Sequence, residues 1–351
     1  MSKTTPRKYG PARLRRVIFF AIIGLLVFSA CVIAPAIALT FQPKVTAGPT
    51  NTALPTETPT AVPTDTPLPT ASPTEPPTST ALPPPPTKQV FNNIPYLQVD
   101  GVDPGLLSLD IYTPASRGLH PVMVMIHGGS WSGGDKDTLV VSGTKSQFFT
   151  DYDFVFVSIN YRVSPQVLYP VHVQDVAAAL AWISLHIGDY GGDAGKLYVM
   201  GHSAGGQLAA LVATDERYLA IYHLKPSMLL GVILLDAAGL DIPGTMSPSL
   251  KFMYTTAFGE NPNTWRAASP VNHVAAGKGI PPFLVTYSYQ VVPFTQSSQE
   301  FAGKLTAAGV PVREYGAQDK THASINDDVG KSGDPVTDQI IQFLEETLPG
   351  G

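Results

Sequence analysis

The stretch "KLYVMGHSAGGQLAALVAT", residues 196–214, decides the fold. Its first half is an apolar run of strand length. Its second half places small and apolar residues at helical spacing. Between them, Gly201 and Gly205 frame Ser203 as G-x-S-x-G. A chain that passes from strand to helix in so few residues must turn sharply. The turn strains the serine backbone, and side chains at the flanking positions would clash. The hydroxyl is thrust out beyond the strand, at a helix N-terminus whose dipole favours developing negative charge. The pentapeptide alone is a frequent accident, and a glycine-rich turn with a bystander serine is its rival reading. The strand before it and the helix after it make the difference.

Working outward, "PVMVMI" (121–126), "FVFVSINYR" (154–162), "MLLGVILLD" (228–236), "PPFLVTYS" (281–288) and "VPVREYG" (310–316) read as further strands. "VQDVAAALAWISLHI" (173–187), "TQSSQEFAGKLTAAG" (295–309) and "DPVTDQIIQFLEETL" (334–348) read as helices. The strand runs are continuously apolar rather than alternating. That pattern predicts a mainly parallel sheet with helices on both faces. "YLQVDG" and "LLSLDIYTP" are expected to form an opening hairpin.

Two further segments belong with Ser203. "HGGSWSGGDKD", residues 127–137, follows a strand about 75 residues before the serine. Acyl transfer needs donors for the oxyanion of a tetrahedral intermediate, and glycines let backbone N–H groups approach it. Gly128 and Gly129 are candidates, joined by the N–H of Ala204. His127 is expected to brace this loop, and Trp131 is a candidate for lining the substrate pocket, with a packing role as the alternative. "DKTHASIN", residues 319–326, follows the last strand and puts His322 at the same end of the sheet as Ser203. His322 is therefore the candidate proton acceptor. His202 should point away from the serine hydroxyl.

The order HGG, "NYRVSP", GHSAGG and late THASIN resembles the α/β-hydrolase superfamily. More narrowly, it resembles the carboxylesterase/lipase branch with HGG oxyanion motifs, including acetyl-esterase-like and kynurenine-formamidase-like members. The resemblance covers about residues 94–348. It implies an α/β-hydrolase fold, a Ser–His–acid triad, a small-molecule ester substrate, and neither metal nor cofactor. Asp175 resembles a recurrent acidic position and is expected to support the loop near "NYR". The usual acid position after the 283–288 strand falls at Tyr289, beside Gln290, and neither is a carboxylate. Asp236, at the end of the preceding strand, is the first candidate for the acid, and Asp241 the second. A Ser–His dyad with a neutral third partner is the remaining option. Asp319, Asp327 and Asp328 sit too close to His322 in sequence to be placed well, and Glu300 is expected to face solvent. The expected chemistry is hydrolysis of short-acyl or acetyl esters through an acyl-enzyme. The alternatives are amide or formamide hydrolysis, and a non-catalytic binding module on the same scaffold.

The rest of the 351 residues concerns address and tether. Residues 1–16 form a basic tail, expected to be cytoplasmic. Residues 17–41 contain an apolar run from Val17 to Leu39, roughly 35 Å long as a helix and sufficient to cross a bilayer. The basic flank places everything later outside. An uncleaved anchor, a lipoprotein modified at Cys31 after "FSA", and a secreted chain cleaved near "AIA" all export the remainder. Residues 42–88 are mostly Thr, Pro, Ala and Ser, with no apolar period, and are expected to be a disordered stalk. Stretched as polyproline II at about 3.1 Å per residue, the stalk would span on the order of 140 Å. Residues 89–351 then form the folded domain, with a small cap at about 237–281. The net charge of −5 and the lack of a basic stripe argue against nucleic acid. A single cysteine excludes an internal disulfide.

Overall fold

A computed structural model of the protein describes residues 87–349. The basic tail, the apolar segment 17–41 and nearly all of the stalk lie outside the described residues. Among the described residues, no helix is long and apolar enough to cross a membrane.

The described residues build one eight-stranded sheet. Its strands are β1 Gln89–Pro95, β2 Ser108–Thr113, β3 His120–Ile126, β4 Val155–Ile159, β5 Gly192–His202, β6 Leu229–Leu235, β7 Phe283–Ser288 and β8 Val312–Ala317. Their order across the sheet is β1-β2-β4-β3-β5-β6-β7-β8. Only β2 runs antiparallel to its neighbours β1 and β4. From β4 to β8 every pair is parallel. The central strands are buried along nearly their whole length, which is why their sequences show no alternation.

The opening hairpin differs from expectation. β1 is "QVFNNIP", not "YLQVDG", which forms the loop after it. β1 is an edge strand, exposed at most positions, so it carries little of the apolar signal by which strands are recognised.

The helices used below are α1 Ser146–Asp151, α2 Val171–His186, α3 Ala204–Thr214, α4 Pro248–Phe258, α5 Pro262–Ala268, α6 Val292–Ala307, α7 Ser324–Asp327 and α8 Pro335–Thr347. They cover both sheet faces and divide the core in two. One cluster joins α2, α3 and α6 to one face, through residues such as Leu180, Leu208 and Phe301. The other packs α1 and α8 on the opposite face, through Phe149, Ile340 and Phe343. Asp175 on α2 is fully buried and accepts from the Arg162 backbone N–H at 3.0 Å and its Nε at 2.8 Å. This pins the loop after β4, as its position beside "NYR" suggested. His172, one turn earlier, lies 3.0 Å by its Nε2 from Ser164 Oγ. Burial and the Arg162 charge push it down to about 4.

α4 and α5 form the insertion between β6 and β7. Tyr254 and Phe258 of α4 turn inward against Trp131, with ring centroids at 5.9 and 4.9 Å, whereas Phe252 is 81% exposed. The apolar residues of this helix thus divide between packing and display.

The start of α3 presses on the end of β3. A Cβ on Gly205 would sit 2.2 Å from the Ile126 carbonyl oxygen and 2.4 Å from that of His127. We expect Gly205→Ala to force these elements apart and to cost about 3 kcal/mol or more, read by urea unfolding. A second expectation concerns acid. Because His172 binds its proton less readily folded than unfolded, its contribution to stability is full above about pH 6.5. It is lost as pH falls toward about 4. Between pH 7 and 4.5 the wild type should lose about 2–3 kcal/mol more than His172→Gln in parallel urea titrations.

Candidate active site

Five strand ends meet at the carboxyl edge of the sheet. β3 delivers Gly128 and Gly129, β5 delivers Ser203, β6 delivers Asp236, β7 delivers Ser288, and the loop after β8 delivers His322. Ser203 is the turn itself, between β5 and α3, with φ 53° and ψ −118°. A non-glycine residue at positive φ is strained, and here the surroundings hold it. Its N–H donates to the Leu235 carbonyl, and its own carbonyl accepts from Gly206 and Ala238. Ser203 is 7% exposed.

The imidazole of His322 lies between two of these groups. Ser203 Oγ–H donates to its Nε2 over 3.0 Å, and its Nδ1–H donates to Asp236 Oδ2 over 2.8 Å. Asp236 is fully buried and has φ 46°. Ser288 holds its carboxylate from the next strand: its Oγ–H donates to Oδ2 at 2.7 Å and its N–H to Oδ1 at 3.1 Å. Of the sequence candidates for the acid, the structure brings Asp236 to His322. Asp241 instead begins a short helical turn at Ile242–Thr245. Asp328 pairs with Lys320 at 2.8 Å and Lys331 at 2.6 Å, and Glu300 with Lys304 at 3.1 Å on the exposed face of α6.

The loop that lacks an acid is nevertheless occupied. Gln290 Oε1 accepts from the His322 backbone N–H at 2.7 Å. His202 Nε2–H donates to the His322 carbonyl at 2.8 Å. Burial, followed by the neighbouring His322, pushes His202 down to about 4, so it is a neutral donor at ordinary pH. The His322 main chain is thus gripped at both its N–H and its C=O. No motif singles out Ser288 or Gln290 for these tasks. The signal that could have found Ser288 is positional, since it ends the strand beside the one that carries Asp236.

Gly128 approaches Ser203 closely. A Cβ there would stand 3.2 Å from Ser203 Cβ and 2.9 Å from His202 Nδ1. The loop is braced from behind. His127 Nδ1–H donates to the Gly128 carbonyl at 2.7 Å, and the His127 ring stacks on Tyr161 at 4.4 Å. Burial lowers His127, leaving it a neutral prop. The expectation that Trp131 lines the substrate pocket needs correction. Its side chain is wholly enclosed, packed on Tyr254 and Phe258, with Nε1–H donating to Gln207 Oε1 at 2.9 Å. Gln207 Nε2–H in turn reaches the Ala268 carbonyl at 2.7 Å. Trp131 ties the glycine loop to α3 and the cap from within. The cavity that borders the glycines is lined by neither Ser203 nor His322. It measures about 350 Å³ and is bounded by Gly128, Gly129, Val140, Val141, His202 and Asn326. Among the described residues, no cluster of side chains could hold a metal ion.

Residues 109–224 match the BD-FAE family. Esterase LipI of Mycobacterium tuberculosis is 30% identical over 249 residues, which span 65% of this chain and 74% of LipI. Esterase LipQ of the same organism is 30% identical over 222 residues, covering 58% of this chain and 49% of LipQ. The chain therefore spans only about half of LipQ. The crystal structure of esterase B from Lactobacillus rhamnosis superposes with a TM-score of 0.59 at 20% identity, covering 74% of this chain and 85% of that one. At that identity the likeness speaks for the fold alone. The parallel sheet, the strand-to-helix serine and the kinship with LipI together place the chain: it belongs to the carboxylesterase family of α/β-hydrolases.

Proposed function

We propose that the protein is a serine hydrolase that cleaves carboxylic esters through an acyl-enzyme. The observation that carries this is the unbroken line Ser203–His322–Asp236, with spacings of 3.0 and 2.8 Å. Ser203 Oγ attacks the acyl carbon while its proton passes to His322 Nε2. Asp236 holds the imidazole in the tautomer that can accept that proton and stabilises the imidazolium once formed. The backbone N–H groups of Gly128, Gly129 and Ala204 take the oxyanion. His322 then protonates the departing alcohol. Water, deprotonated by the same imidazole, attacks the acyl-enzyme and releases the acid and Ser203.

Relatives described as esterases support the ester rather than the amide reading. A binding module on this scaffold would have no use for a buried carboxylate aligned on a histidine. The apolar run within residues 17–41 and the Thr/Pro-rich stretch 42–88 support export on a membrane tether, with the catalytic domain outside the cytoplasm.

The test is labelling and turnover. A fluorophosphonate should label the wild type and not Ser203→Ala, and p-nitrophenyl acetate should be hydrolysed only by the former. Asp236→Asn should lower kcat by roughly 10³–10⁴, as expected when the histidine loses its anionic partner. Absence of label on the wild-type chain would remove the hydrolase reading. Ser288→Ala takes one donor from Asp236 and leaves the carboxylate in place. It should cost about tenfold in kcat with little change in KM, measured by steady-state kinetics.

A further inference from the structure

One buried charge has no part in the mechanism above. Lys145 closes a π-helical turn, Val140–Lys145, and its side chain is wholly enclosed. Burying a cation is costly, and such groups persist where something holds them. Here its Nζ donates to the main-chain carbonyl of Asn326. Asp327, Asp328 and Asp334 face it from α7 and the segment before α8, Lys331 opposes them, and His202 lies within its field. Burial outweighs the three carboxylates and pushes Lys145 down to about 7. Ammonium and amine alike keep an N–H for the carbonyl, so the contact survives on either side of neutrality.

Asn326 sits four residues beyond His322, in the helical turn α7 that continues the histidine loop. The Ile325 N–H reaches back to the Thr321 carbonyl, so this stretch moves as one piece. From the other end, Lys320 fastens the loop to Asp328 at 2.8 Å and Asp334 at 2.6 Å. Gln290 and His202 hold the His322 peptide, but neither restrains the turn that follows it. Asn326 and Asp327 also wall the cavity beside Gly128.

We propose that Lys145 is a positioning residue for His322. By holding the Asn326 carbonyl from beneath, it fixes the 321–327 segment so that the imidazole stands between Ser203 and Asp236. The role rests on the hydrolase reading, and Lys145 itself touches no reacting atom. The Asn326 carbonyl also accepts from the Asp328 N–H, so removing the lysine does not orphan it. Stability and rate should therefore part company. In the full chain, Lys145→Met should unfold at the wild-type temperature or higher, because a buried cation is gone. It should nevertheless lose about tenfold in p-nitrophenyl acetate kcat with KM within about threefold, and fluorophosphonate labelling should slow in proportion. A variant with wild-type kcat, one that loses rate and unfolding temperature together, or one that fails to fold would each overturn the proposal. A wild-type chain that neither labels nor turns over the ester would overturn the hydrolase reading and this role with it. Wild-type activity matched by the variant would overturn the role of Lys145 alone.

Discussion

The site depends on a carboxylate kept out of water. Asp236 is fully buried at the end of β6, and a bare anion there would be untenable. Three donors make it tenable: the Ser288 hydroxyl, the Ser288 N–H and His322 Nδ1. Each comes from a different part of the chain than the aspartate, so the anion gathers the last third of the fold around itself. The low dielectric that makes it costly also makes its hold on the imidazole strong. Stabilisation and function draw here on the same three hydrogen bonds.

Of the seven non-glycine residues at positive φ among the described residues, four lie in the site, the others being Asn93, Asp153 and His223. Ser203 and Asp236, two of the three aligned residues, both have positive φ. So do Ser130 and Trp131 in the loop that follows the glycines. Each of these conformations is unfavourable in isolation. They persist because the strands behind them are buried and in regular register, β3 on β5 from Val122–Leu197 to Ile126–Gly201 and β5 on β6 from Tyr198–Gly231 to Gly201–Leu234. Rigid strands hold turns that would otherwise relax, and the turns aim the side chains.

Much of this was legible in the sequence. Continuous apolar runs announced a parallel sheet because a strand buried on both faces has no polar side to display. The G-x-S-x-G turn and the late histidine were legible because close packing and bond geometry leave few residue types able to serve. Asp236 followed from its place at the end of a strand, once the usual position proved to be Tyr289. β1 was not legible, since an exposed edge needs few apolar residues. The sequence leaves the role of Trp131 open between pocket and packing, because a tryptophan near a site has the same letter whether it faces the cavity or the core. Ser288 left only a positional signal, at the end of the strand beside the one that carries Asp236, and Gln290 and Lys145 left none, because a single hydrogen bond across 32 or 181 residues has no local pattern.

The carboxylate that meets His322 stands at the end of β6 rather than after β7, and this has a consequence for the β7 tip. The tip after β7 now contributes a single amide side chain, Gln290, to a backbone contact, while Tyr289 and Val292 beside it stand 46% and 58% exposed. That tip is relieved of supplying an anion. Substitution of its exposed residues therefore leaves the hydrogen bonds that join Ser203, His322 and Asp236 intact.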